Sequence, residues 1–269
     1  MTAAPLIDLH VWGEPHSVAR RLGPRVRFLS AVGPGDMAAW QRRARAPLPT
    51  TCLGFHLEGP YLNPAMAGAL ERRACRPRVR VHELATLIQA GRGRVRMMTI
   101  APELPGALDG IRWLRRHGVV ASLGHTDATY VQAKHAIDAG ATSATHLFNR
   151  MRPWHHRGPG VVGAILDDAR VSAQIVLDGV HVHPAVARWA VALAGPRRII
   201  LATDNVSAVA VRWRLRRRHQ AYYTQRGTLA GSGLSLPIAV RNAARWAGVT
   251  LAEARAMAAA NPARLLERP

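Results

Sequence analysis

Short apolar runs recur along the chain with amphipathic stretches between them, and this alternation sets the first expectation of fold. Eight runs rich in Val, Ile and Leu fall at residues 6–12, 26–32, 51–57, 95–101, 119–123, 142–147, 172–177 and 198–203. Several are nearly continuous in apolar residues, the pattern of strands buried on both faces of a parallel sheet. Helical spacing predicts helices over 36–45, 80–89, 108–117, 130–139, 185–193, 236–246 and 251–259. Asp127-Ala128-Thr129-Tyr130 reads as the start of the fourth, and Gly140 as its stop. Strands alternating with helices, eight strands in all, predict an α/β fold of the (β/α)8 TIM-barrel kind. No linker, low-complexity tract or internal repeat divides the 269 residues, so one barrel domain over 1–269 is expected.

Composition acts mainly by exclusion. The amino terminus lacks a basic segment followed by an apolar one, so no secretory leader is expected. The most apolar later stretch, 185–193, contains Arg188 and falls far short of the roughly 20 residues of a membrane span. Cys52 and Cys75 have neither the number nor the spacing of a disulfide framework, which fits a reducing cytoplasm. The formal net charge of +21 raises the question of a polyanion partner. Lys134 is the only lysine, however, and the arginines are spread along the chain, so compositional enrichment is the better account and nucleic acid is not expected. The densest run, Arg212 to Arg218, reads as a solvated loop or helix face, with a phosphate or RNA contact as the alternative.

In a barrel, catalytic groups project from the carboxyl ends of the strands. The first run carries Asp8 and His10, the third ends in His56 and Glu58, Glu103 follows the fourth, and His125 follows the fifth. His146 lies in the sixth, Asp178 and His181 follow the seventh with His183 beyond, and Asp204 ends the eighth. Imidazole nitrogen together with carboxylate oxygen suits zinc or another borderline divalent ion, and three protein ligands leave a position for water. Such an ion lowers the pKa of that water from about 15.7 to about 7 and polarises a carbonyl. A nearby carboxylate takes the water's proton and passes it to a leaving amine. Glu58, His125 and His146 are the expected ligands, and Asp204 the expected base.

These residues sit in longer motifs: HLEGPYLNP at 56–64, SLGHTDATYVQAKHAIDAGAT at 122–142, THLFNRM at 145–151, GPGVVGAILDD at 158–168, DGVHVHP at 178–184 and GTLAGSGLSL at 227–236. With these motifs in collinear order over 7–266, the chain resembles the N-acetylglucosamine-6-phosphate deacetylase family of the amidohydrolase superfamily. The resemblance implies metal-dependent hydrolysis of the N-acetyl group of an amino-sugar phosphate, N-acetylglucosamine-6-phosphate giving glucosamine-6-phosphate and acetate. It matches Glu58, His125 and His146 to the family's ligands for one divalent ion, with zinc expected, and Asp204 to its catalytic acid and base. Asn149 and the backbone at Arg150 match a substrate-binding turn. Arg157 matches an arginine that reaches the sugar phosphate, in the family often across a homodimer interface, and His181 a histidine at the same substrate. A guanidinium fork suits a phosphate dianion on chemical grounds as well.

The sequence also departs from the family pattern. Many members begin the barrel with His-x-His for a second metal, whereas this chain reads His10-Val11-Trp12, which leaves His10 as a remnant and one metal as the expectation. Leu70 stands where the family often places a histidine that polarises the acetyl carbonyl. Loss of one such donor costs about 3–4 kcal/mol in the transition state, and the metal or Arg72 is the expected substitute. Arg157-Gly158-Pro159-Gly160 replaces Arg-Glu-Pro-Gly, and Asn205-Val206 follow Asp204 in place of small residues. The small β-sandwich that the family builds from both chain ends is expected to be missing, leaving apolar surface for dimerisation. Two alternatives stay open: a deacetylase of another N-acetylated sugar or amide, and a catalytically degenerate barrel that binds polyanions through its arginines.

Overall fold

The computed structural model describes residues 4–267. Eight parallel strands follow one another around a single sheet: β1 Leu6–Trp12, β2 Val26–Val32, β3 Cys52–Glu58, β4 Val95–Ile100, β5 Val120–Leu123, β6 Ser143–Ala144, β7 Ser172–Ile175 and β8 Ile199–Leu201. All eight expected strands are present. From β4 to β8, except for β5, they end earlier than the apolar runs do, because the backbone leaves the ladder before the polar residues begin. The expected run 142–147 thus contributes only two ladder residues before the chain bends toward His146.

The sheet returns from β8 to β1 without a full ladder. Val11 bridges Asn205, and the Trp12 amide donates to the Asn205 carbonyl at 2.9 Å. The buried Asp8 carboxylate accepts from the Thr203 hydroxyl at 2.6 Å and from the His10 and Thr203 amides at 3.2 Å. Burial outweighs these donors and pushes the Asp8 carboxyl up to about 6. Each buried donor left without its acceptor costs about 1–3 kcal/mol. Asp8→Ala is therefore expected to lose about 3 kcal/mol in urea titration. An unchanged midpoint would show that this contact does not hold the barrel closed.

The helices are α1 Pro15–Leu22, α2 Met37–Arg45, α3 Val81–Ala90, α4 Ala107–Arg116, α5 Tyr130–Ala139, α6 Gly160–Asp167, α7 Pro184–Ala194, α8 Leu236–Trp246, α9 Leu251–Met257 and α10 Ala260–Glu267. α5 begins with a reciprocal cap between Thr129 and Gln132 and ends at Gly140, whose φ of 118° a side chain would disfavour. Three helices fall outside the sequence-based expectation. α1 is short and polar, α6 (GVVGAILD) has no polar face to reveal a period, and α10 carries Pro262 in its first turn, where it is tolerated. α10 seals one mouth of the barrel, where Leu265 and Leu266 cluster with Ile7, Leu9, Met97 and Ile200. The opposite mouth, at the carboxyl ends of the strands, is left for chemistry.

Between β8 and α8 the chain forms a small antiparallel sheet of β9 Arg216–Arg218, β10 Ala221–Tyr223 and β11 Leu229–Ser232. Strands of three or four residues are too short to show a period, so the sequence leaves them unassigned. β9 is exposed, as expected of a solvated run, but Trp213 at the start of the run packs against Trp12. Among the described residues, no helix is long and apolar enough to cross a membrane.

Candidate metal centre

Glu58 ends β3, His125 lies just beyond β5, and His146 just beyond β6. All three are buried, and one donor atom of each lies within 4.8 Å of the others. Glu58 Oε1 is 3.0 Å from His125 Nε2 and 2.9 Å from His146 Nε2. His125 Nδ1 is 2.8 Å from the Met66 carbonyl oxygen, which can only accept, so that nitrogen carries the ring proton. In the neutral ring, Nε2 then turns a lone pair toward a carboxylate, an arrangement that calls for a cation between them. His146 Nδ1 and both nitrogens of His10 are buried with no hydrogen-bond partner. Two imidazoles and a carboxylate converging in this way fit a borderline divalent ion.

Backbone strain gathers at the same place. His125, His146 and Asp204 take φ values of 48°, 31° and 49°, left-handed conformations that cost non-glycine residues about 1–3 kcal/mol each. The sharp bend after each short strand turns the side chain inward over the barrel mouth.

Asp204, beyond β8, faces this cluster. The Trp12 indole N–H donates to Asp204 Oδ1 at 2.9 Å, and His181 Nε2 lies 3.7 Å from Oδ2. His10 Nε2 sits 3.5 Å from Asp204 Oδ1 and 3.6 Å from Glu58 Oε2, too far for hydrogen bonds. Burial disfavours the charged His10 ring, yet Glu58, Asp204 and Asp8 together bring its pKa up to about 9. Burial also opposes ionisation of Glu58, but the His10 and His125 rings hold its carboxyl well below the usual range. Burial pushes His146 down.

Asp178 orients His181. Its Oδ2 lies 2.6 Å from His181 Nδ1, and its Oδ1 accepts the Val180 and His181 amides at 2.8 Å. Burial works against a charged His181, but Asp178 prevails and raises its pKa. Asn149 and Arg150 follow His146 and line a cavity of about 1340 Å³ that also takes in the cluster and Leu70. Arg157 is exposed, donates to His156 Nε2 at 2.8 Å, and does not line that cavity. Arg72 also turns away, its Nε donating to the Pro64 carbonyl at 2.9 Å.

The other strand-end polar residues serve the fold. His56 contacts the Leu9 carbonyl at 3.0 Å and the Thr99 hydroxyl at 2.7 Å, and burial pushes its pKa down to about 3. Glu103 accepts from Asn63 at 2.8 Å and from the Asp127 amide at 2.7 Å, and His183 caps α7. Trp12 escapes the sequence-based site assignment, and Asp178 is named there only as a strand-end residue without a role. Asp178 carries a signal, since Asp-x-x-His at a strand end allows a local pair, whereas Trp12 reaches Asp204 only through barrel closure.

The sequence profile of the amidohydrolase family matches residues 36–269. The chain belongs to the amidohydrolase family. The matched residues include β3 to β8 and hence Glu58, His125, His146 and Asp204, while His10 and Trp12 precede them. Among similar amidohydrolase chains is the N-acetylgalactosamine-6-phosphate deacetylase of Escherichia coli O157:H7, 41% identical over 222 residues, or 80% of this chain and 58% of that one. The N-acetylglucosamine-6-phosphate deacetylase of Lysinibacillus sphaericus is 35% identical over 225 residues, or 80% of this chain and 57% of that one. The chain thus spans less than three-fifths of the length of these curated relatives. In three dimensions it is similar to N-acetyl-D-glucosamine-6-phosphate deacetylase from Mycobacterium smegmatis, solved as a mutant in complex with N-acetyl-D-glucosamine-6-phosphate. The TM-score is 0.88 at 33% identity, covering 99% of this chain and 78% of the other.

Proposed function

We propose that this amidohydrolase removes the N-acetyl group of an amino-sugar 6-phosphate, releasing acetate and the free amine, with one zinc ion per chain. The carrying observation is the convergence of Glu58, His125 and His146 beside Asp204 at the open mouth of the barrel. The names of the relatives supply the substrate class.

Glu58, His125 and His146 would hold the ion, which when bound acidifies water and polarises the acetyl carbonyl. Asp204 takes the proton of the attacking water and returns it to the amine nitrogen as the C–N bond breaks. His181, fixed by Asp178, donates from Nε2 to the substrate, and Asn149 with the backbone at Arg150 orients the sugar. The side chain at Leu70 offers no donor to the acetyl carbonyl, and Arg72 points elsewhere, so the carbonyl polarisation that such a donor would give would have to come from the ion held by Glu58, His125 and His146. His10 lies outside the group of converging ligand atoms and would not be needed to hold a single ion.

Arg157 is exposed and does not line the cavity of its own chain, and its proposed place is at the phosphate of a partner's substrate in a homodimer. Arg157→Ala is expected to raise KM about tenfold or more and to leave kcat within about threefold, as for a lost charged hydrogen bond outside the reacting atoms. A KM that stays put would remove Arg157 from the site. The two free, buried cysteines, Cys52 and Cys75, support a reducing compartment such as the cytoplasm.

The E. coli relative's name favours the galactose epimer as a second reading. Acetate release should be measured from N-acetylglucosamine-6-phosphate, N-acetylgalactosamine-6-phosphate and the two unphosphorylated sugars. Turnover of the phosphorylated pair is expected, and the faster of the two names the epimer. Equal rates with and without phosphate would refute phosphate anchoring, and no acetate from any of the four would refute the function.

A further inference from the structure

Trp12 occupies the position two residues beyond His10 at the end of β1, and it is buried and lines the cavity. Its indole N–H has one acceptor among the described residues, Asp204 Oδ1 at 2.9 Å. A buried indole donor ordinarily finds a partner, but this partner is the carboxylate that faces the metal-ligand cluster. Oδ1, held from the side of β1, also lies 3.5 Å from His10 Nε2, while Oδ2 lies 3.7 Å from His181 Nε2, and Asp204 lines the cavity.

The donor is itself held in place. The Trp12 amide is tied to the Asn205 carbonyl across the β1–β8 closure, so indole and carboxylate hang from one clamped pair of strands. The indole ring meets Trp213 edge-on at 5.1 Å between centroids. It also belongs to an apolar cluster with Ala31 and Val206, against which Leu70 packs. Trp12 and Leu70 flank Gly33 together: a Cβ placed there would lie 3.2 Å from the Trp12 ring and 3.4 Å from Leu70. Leu70, which offers the substrate nothing polar, thus packs against the cluster that holds the ring gripping Asp204. Asp204 stands at a left-handed φ of 49°, a conformation that needs outside support to persist.

We propose that Trp12 is a positioning residue, its indole N–H fixing the orientation of the Asp204 carboxylate through Oδ1, with Trp213 and the apolar cluster that Leu70 packs against holding the ring. The proposal rests on the reading of Asp204 as the proton-transfer group. It makes the change at Trp12 and the change at Leu70 parts of one arrangement rather than two separate losses.

Two replacements of Trp12 separate hydrogen bonding from packing. Trp12→Phe keeps an aromatic ring, and 3-benzothienylalanine at position 12 keeps the full ring shape while removing only the N–H, which guards against a folding defect. The expected result for both is a kcat about tenfold or more below that of the parent, with KM within about twofold, because orientation of the proton acceptor is lost and sugar binding is not. The second readout is free of turnover. In the metal-free, 15N-tryptophan-labelled protein, the seven indoles give seven N–H resonances, and Trp12→Phe identifies the one from Trp12. That resonance is expected to exchange slowly with solvent and to move in Asp204→Ala. An indole resonance indifferent to Asp204→Ala would overturn the proposal, as would unchanged kcat in the benzothienylalanine protein when Asp204→Asn is inactive. Full kcat in Asp204→Asn would instead overturn the reading beneath it, and the proposal with it.

Discussion

Asp204→Asn is expected to lower kcat for deacetylation by about a thousandfold while leaving the bound metal in place, the loss usual for a general acid–base group. The substitution is nearly isosteric. Its amide oxygen can still accept the Trp12 indole N–H, so the backbone at φ 49° keeps its support and the site keeps its shape. What disappears is the ability to take a proton from water and return it to the leaving amine. Glu58, His125 and His146 do not depend on Asp204 for their mutual contacts, and the metal content should stay at one ion per chain. Steady-state kinetics together with elemental analysis check both halves. A fall smaller than about tenfold would assign the proton transfer to another group, the neighbouring His10 and His181 being the alternatives.

Glu58→Gln is expected to strip the ion from the protein. The Glu58 carboxylate is the only anion among the three clustered ligands, and it faces the His10, His125 and His146 rings in a buried site. A neutral amide removes the charge that offsets desolvation of a divalent cation. The fall in metal affinity should exceed the roughly hundredfold that losing an outer-shell partner costs. The fold itself should survive, because the new side-chain NH2 can donate to the His125 Nε2 lone pair. Calorimetric titration with zinc measures the affinity, and circular dichroism confirms that the barrel is intact. Metal binding of parental strength would show that the ion sits elsewhere.

The barrel was legible because its strands are buried on both faces, which makes runs such as 26–32 and 95–101 stand out without any knowledge of their partners. The site was legible for a related reason: an apolar run that ends in Glu58 or runs on to Asp204 interrupts itself at the point where a barrel puts its chemistry. Other features have no local signature. The α6 segment is apolar all round because α5 and α7 flank it, so no period marks it as a helix. Neither the left-handed turns at His125, His146 and Asp204 nor the outward course of Arg72 can be read from side-chain types. Trp12 is the clearest case. In the sequence it is only a missing histidine, and it becomes a donor to Asp204 once β1 and β8 are brought side by side, 192 residues apart along the chain.

The central claim is that Glu58, His125 and His146 hold a single ion on which amide hydrolysis depends. It is tested most directly by stripping the purified protein with a chelator and titrating zinc back while following acetate release from N-acetylglucosamine-6-phosphate and its galactose epimer. The account predicts no release from the stripped protein, a linear rise with added zinc, and a plateau at one equivalent per chain. Turnover that survives complete removal of metal, or a plateau reached only at two equivalents, would contradict it.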